Sequence, residues 1–103
     1  MEVANKERFN EVLAQGGVTL VDFFADWCGP CKMLSPVLQK LSERYEGKVN
    51  FIKVNVDDEM ELAVKYNITS IPNMILFKDG EPFNQLIGFN AEPALVKFIE
   101  SGL

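Results

Sequence analysis

The 103-residue chain has no histidine, only two cysteines, no run of basic residues and no apolar stretch as long as a membrane span. Each shortage narrows what it can do. Structural zinc asks for four ligands, and two thiols without histidine do not supply them, so a metal site is not expected. Ten basic against fifteen acidic residues leave a formal net charge of -5, which argues against nucleic acid or an anionic membrane as the main partner and leaves protein substrates open. The segment Met1-Glu2-Val3-Ala4-Asn5-Lys6-Glu7-Arg8 lacks the apolar core of a signal peptide, so a cytoplasmic protein is expected. No repeat, low-complexity segment or linker interrupts the chain, and its length suits a single domain over residues 1–103 with one site. It also has no nucleotide-binding glycine loop, and no cofactor is expected to reside in it.

What is present is concentrated in Trp27-Cys28-Gly29-Pro30-Cys31-Lys32, which holds both cysteines three residues apart at the end of an apolar run. If a helix begins at Cys28 or Gly29, residues i and i+3 share a face at a Cα separation that a disulfide can bridge, and both redox states fit one backbone. A thiol at a helix start faces unpaired N–H groups and the positive end of the helix dipole, which favour the thiolate. Cys28 is therefore the expected nucleophile. Cys31, a turn further into the helix and toward the core, is suited to resolving a mixed disulfide. Pro30 is tolerated in the first turn, where its N–H would have no intrahelical partner. A purely structural staple is the competing reading, but a bridge closing so short a loop removes little unfolded-state entropy, and a chain with 48% hydrophobic residues does not need it. In a reducing compartment a lone pair of this kind points to catalysis.

Around this stretch the pattern alternates strands and helices. Residues 2 to 4 can form a short edge strand, and Asn5 can cap a helix carrying Phe9, Val12 and Leu13 up to Gly16-Gly17. Val18-Thr19-Leu20-Val21-Asp22-Phe23-Phe24-Ala25 reads as a central strand covered on both faces. Asp22 is its anomaly: buried, its carboxyl should titrate unusually high, and a partly solvated position is the alternative. A long helix follows, with Cys31, Leu34, Leu38, Leu41 and Tyr45 on one face and an end near Gly47; Pro36 inside it should kink the helix without breaking it. Residues 49–56 form another strand, and Asp57-Asp58 should open a helix through Leu62, Ala63 and Tyr66. Lys53 is a charge within that strand, readable as a snorkelling side chain. Met74 to Lys78 and Glu81 to Ile87 flank Asp79-Gly80, a hairpin signal, with Pro82 suiting an edge. Asn90 can cap a last helix with Pro93 in its first turn and Leu95, Phe98 and Ile99 inward.

Trp27 to Lys32, with Asp22 before and Ile71-Pro72 after, closely resembles the thioredoxin family, and the likeness extends over nearly the whole chain. The resemblance implies an α/β thioredoxin fold, a central mixed sheet of about five strands flanked by four helices, which the order β-α-β-α-β-α-β-β-α also suggests. It implies that Asp22 is a buried carboxyl that exchanges a proton as the disulfide forms or breaks, and that Lys53 lies near it and eases its ionisation. It makes the Ile71-Pro72 bond cis, against the composition-based expectation of trans, with the Ile71 backbone free to pair with an extended substrate segment. Trp27 and Gly88 would complete the substrate face, Gly88 being equally readable as a turn glycine. Gly29 and Pro30, between the cysteines, resemble the reducing branch of the fold and modulate its chemistry. Three positions depart from the family pattern: Phe24 where tryptophan is common, Asn73 in place of threonine, and Phe89-Asn90 in place of small residues.

The expected function is a thiol-disulfide oxidoreductase and redox carrier. It reduces disulfides in other proteins through Cys28 and Cys31, serves cell redox homeostasis and acts as a monomer. Its expected electron donor, by resemblance, is a thioredoxin reductase using NADPH or a ferredoxin-linked equivalent. An oxidant or isomerase on the same fold, and a binding module in which the thiol chemistry is incidental, are the rival readings.

Overall fold

The computed structural model describes residues Met1 to Leu103. Its centre is β2 (Val18–Phe24), seven consecutive buried residues, hydrogen-bonded on one side to β3 (Val49–Asn55) and on the other to β4 (Asn73–Lys78). β1 (Glu2–Val3) continues the sheet beyond β3, and β5 (Glu81–Ile87) beyond β4, giving the order β1-β3-β2-β4-β5. The three strands from the first half of the chain run parallel, while β4 is antiparallel to both β2 and β5. This is the mixed sheet expected from the sequence.

Side-chain alternation along β2 divides the interior. Val18 and Leu20 belong to a core with Leu34, Leu38 and Leu41 of α2 (Gly29–Arg44) and Leu95, Phe98 and Ile99 of α4 (Glu92–Glu100). Val21 and Phe23 belong to a second core, with Phe9 and Val12 of α1 (Lys6–Ala14) and Leu62 of α3 (Met60–Lys65). Two helices thus cover each face. Complete burial of a leucine such as Leu34 or Leu38 contributes about 2 kcal/mol each. α2 is long enough for its amphipathic face to reach from the site to the far end of this core. It runs through Pro36 as one element and ends at Arg44, short of Gly47.

Local signals set most of the boundaries. Asn5 caps α1, its Oδ1 accepting the Arg8 N–H at 2.8 Å, a bond type that stabilises a helix by about 1 kcal/mol. Asp79 and Gly80 both have positive φ, 50° and 85°, as a two-residue hairpin turn with right-handed strand twist demands. Two expected helix starts are corrected. Asp57-Asp58 does not open α3, which begins at Met60, because Asn55 Oδ1 accepts the Asp57 and Asp58 N–H groups and holds them in a turn. Asn90 does not cap α4: the cap is Ala91, and the Asn90 amide turns back to donate to the carbonyl of Gly88 at 3.1 Å.

The sheet topology gathers four segments at one end. The carboxyl end of β2 leads to Trp27 and Cys28, and that of β3, beside it in register at Phe24 and Asn55, leads to Asp57. Antiparallel β4 begins there at Asn73, just after Pro72, and β5 finishes there at Ile87, just before Gly88. A crevice outside the carboxyl ends of parallel strands is where such sheets place their sites.

Candidate active site

Cys28 is the N-cap of α2 and Cys31 lies in its first turn, their Cα atoms 5.3 Å apart and their sulfurs joined in a disulfide. The Cys31 N–H donates to Cys28 Sγ at 3.2 Å, so the first sulfur occupies the place where a capping oxygen would otherwise satisfy the helix start. The same N–H would remain available to a Cys28 thiolate, together with the positive end of α2. Both cysteines are almost fully covered, at 4% and 3% exposure, and pack with Phe24 and Ala25. Gly29 and Pro30, between them, are exposed, and Pro30 sits in the first turn as expected.

The backbone of Ile71 borders this disulfide, its carbonyl oxygen 3.9 Å from Cys28 Sγ. The Ile71-Pro72 bond is cis. The Pro72 carbonyl accepts the Gly88 N–H at 2.7 Å, which ties the 88–90 loop to the 71–72 loop. Gly88 has φ of 87°, a conformation L side chains rarely adopt, and a Cβ placed on it would meet nothing within 4 Å. Its surroundings are therefore open. Asn73 is buried beside the proline, its Oδ1 accepting from Gln85 Nε2 at 2.9 Å, while Phe89 is partly exposed.

Trp27 is 71% exposed, yet its Nε1–H donates to Asp57 Oδ2 at 2.8 Å. Sequence reasoning placed Asp57 at a helix start and missed this contact. The parallel pairing of β2 with β3, which brings residues 30 apart to one edge, was the only available signal.

Beneath α2, Asp22 is completely buried, and neither carboxyl oxygen has a hydrogen-bond partner. Burial pushes its pKa up to about 7, and the nearby Lys53 ammonium restrains the rise. By strand alternation Asp22 faces the α2 side, and Lys53 stands directly across from it in the β2–β3 register. Lys53 is half-buried, its Nζ 4.2 Å from the Phe24 ring centroid and donating to Ser35 Oγ at 3.2 Å. Ser35 also escaped the sequence reading, although it lies one helical turn after Cys31 on the same face. Cys31, Ser35, Lys53, Phe24 and Asp26 line a cleft of about 430 Å³ beside the disulfide.

The structure thus brings Cys28, Cys31, Ile71, Pro72 and Gly88 into one connected patch, with Trp27 on its rim and Asp22 and Lys53 below. A sulfur pair at a helix start, a backbone edge beside it and a carboxyl group titrating near neutrality are the parts that thiol-disulfide exchange uses.

Comparison with known proteins points the same way. The thioredoxin family model matches residues 1–101. The chain is 49% identical to a thioredoxin of Staphylococcus saprophyticus and 46% identical to one of Staphylococcus aureus, in each case over 86% of both sequences. Among solved structures, Plasmodium falciparum thioredoxin superposes with a TM-score of 0.91 at 39% identity, covering 99% of this chain and 98% of that one.

Proposed function

This chain belongs to the thioredoxin family, and on that premise we propose how its residues divide the work. It is a thiol-disulfide oxidoreductase that reduces disulfides in protein substrates through the reversible Cys28-Cys31 pair. The observation that carries the assignment of roles is the placement of that pair at the N-terminus of α2, with Cys28 as the cap, its sulfur beside the Ile71 backbone and accepting the Cys31 N–H, and Cys31 one turn in.

In the reduced protein the Cys28 thiolate attacks one sulfur of the substrate disulfide. That bond breaks, one substrate sulfur leaves as thiolate, and a mixed disulfide joins Cys28 to the other. Cys31 then gives its proton to the Asp22 carboxylate and attacks Cys28 Sγ, releasing the second substrate sulfur and leaving the Cys28-Cys31 disulfide. Two electrons and, in the end, two protons pass to the substrate. A carboxyl group with a pKa near 7 is divided between its two forms at neutral pH, which suits it to take the proton and later return it. Lys53, close to Asp22, favours the ionised form.

Substrate docks on the patch around the buried sulfurs. An extended segment pairs with the Ile71 main chain, Pro72 and the open space at Gly88 admit its backbone, and Trp27 supplies an aromatic edge. Gly29 and Pro30 keep the approach to Cys28 free of bulky side chains. Thioredoxins generally act on disulfide substrates with thioredoxin reductase. The donor proposed for this chain is such a reductase, drawing on NADPH or ferredoxin. No helix is long and apolar enough to cross a membrane, and we place the protein in the cytoplasm, where a dithiol is kept reduced, acting as a monomer.

The deciding experiment is the redox potential of the Cys28-Cys31 pair, obtained by equilibration against defined glutathione mixtures with thiol trapping or Trp27 fluorescence as readout. Every 30 mV is about 1.4 kcal/mol for this two-electron couple. A potential well below the glutathione couple is expected. One well above it would make the protein an oxidant or isomerase.

A further inference from the structure

Lys53 and Asp22 are register partners on adjacent strands, yet they form no direct contact. The ammonium instead crosses to α2, where it donates to Ser35 Oγ at 3.2 Å and lies over the Phe24 ring. Cys31 and Ser35, four residues apart on one helical face, line the same cleft as Lys53, whereas Asp22 lies behind it and does not reach its surface. The cleft is wide enough for water, and it also contains the carboxylate-bearing side chain of Asp26 and the ammonium-bearing one of Lys32.

A lysine ammonium is compact and strongly hydrated, with three donors to satisfy. The Phe24 ring attracts it from one side, and Ser35 Oγ is the acceptor that α2 provides. Without that oxygen it keeps no side-chain hydrogen bond, and the cleft, which Asp26 also lines, offers it water and a carboxylate. The flexible stem would then carry the charge outward, as snorkelling lysines do.

We propose that Ser35 is a positioning residue for the thiol chemistry, holding the Lys53 ammonium at the inner end of the cleft where its charge faces both the Cys31 sulfur and the Asp22 carboxyl. The proposal rests on the assignment of Cys31 and Asp22 given above. Lys53 of β3 stands across from Asp22 in register, and the cleft that Lys53 lines also takes in Cys31, Asp26 and Lys32. Lys53 is the cation that opposes the effect of burial on Asp22. Moving it outward makes ionisation of Asp22 harder and deprives a Cys31 thiolate of a nearby positive charge.

The test uses Ser35→Ala, which keeps a good helix former at the position, with Ser35→Thr as the variant that restores a hydroxyl. The Asp22 carboxyl is followed by carbon NMR against pH in the oxidised protein, where Cys31 does not titrate. Ser35→Ala should raise the Asp22 midpoint by about 0.5 pH unit or more. Ser35→Thr should return it to the wild-type value, and in a Lys53→Met background the alanine substitution should have no further effect. The pH at which the mixed disulfide resolves at half its maximal rate should rise in parallel. An Asp22 midpoint in Ser35→Ala that falls, or that rises by less than about 0.5 unit, or a shift that persists without Lys53, would overturn the proposal. Asp22→Asn separates this from the assignment beneath it: native resolution kinetics in that variant would remove Asp22 as the proton acceptor, while the NMR midpoints would still decide whether Ser35 positions Lys53.

Discussion

The Trp27 indole is tethered to Asp57, a 2.8 Å hydrogen bond joining the loop after β2 to the turn after β3 across the rim of the site. An aromatic ring 71% exposed would otherwise sample several rotamers. Asp57→Ala should leave global stability within about 1 kcal/mol of wild type, since the bond is exposed, while changing Trp27 fluorescence. If the tether orders the ring for docking, KM for a protein disulfide should rise about threefold, equivalent to about 0.7 kcal/mol. A freed indole with unchanged KM would show that its orientation is irrelevant to substrate capture.

Asp22 makes stability depend on pH in the direction opposite to most carboxylates. Its pKa is near 7 folded and near 4 unfolded, so between these values the folded state holds more protons and stability falls as pH rises. The contribution is complete below about pH 4 and gone above about pH 7. Relative to Asp22→Asn, the wild-type protein should lose on the order of 4 kcal/mol between pH 4 and pH 8, measured by urea unfolding at each pH. Parallel stability profiles for the two proteins would contradict a buried, destabilised carboxylate.

The order of attack is open to trapping. Cys31→Ser should accumulate a covalent adduct with a substrate protein through Cys28, close to one per molecule by mass spectrometry, because nothing remains to resolve it. Cys28→Ser should form none at neutral pH, because the remaining Cys31 sulfur lies inside the first turn of α2 rather than at its cap beside the Ile71 backbone. Adducts through Cys31 at a comparable rate would reverse the assigned roles.

Gly102 offers a test of packing far from the sulfurs. It is buried after α4, and a Cβ on it would come within 2.8 Å of Leu76 Cδ2 and 3.6 Å of Val18 Cγ1, both in the α2/α4 core. Gly102→Ala should destabilise the fold by about 1–3 kcal/mol, as overpacking does, without altering the redox potential. A variant as stable as wild type would mean that Leu76 finds another rotamer at no cost.

Much of this structure was legible because its signals are local. The apolar run at 18–25, the stripe through Leu34, Leu38 and Leu41, the Asp79-Gly80 turn and the Asn5 cap each depend on a few neighbouring residues, and each formed as read. Asn90 misled because good capping chemistry stood one residue early, and its amide found carbonyls in its own loop instead. Asp57 misled in a similar way, claimed by Asn55 through a turn. The apolar run left Asp22 open between a buried and a partly solvated position, the family resemblance implied burial, and the diversion of Lys53 to Ser35 requires knowing where α2 crosses the sheet. Periodicity places a residue on a face; it does not say which residue of another element stands opposite.

The sheet also insulates one half of the interior from the other. Every group assigned to the chemistry lies at the site end or on the α2 side, while Phe9, Val12, Phe77 and Leu62 pack on the reverse. Thermal adaptation of this chain therefore has a compartment of its own: exchanges among the reverse-side residues can raise or lower the melting temperature while leaving the reactivity of the sulfurs where it stands.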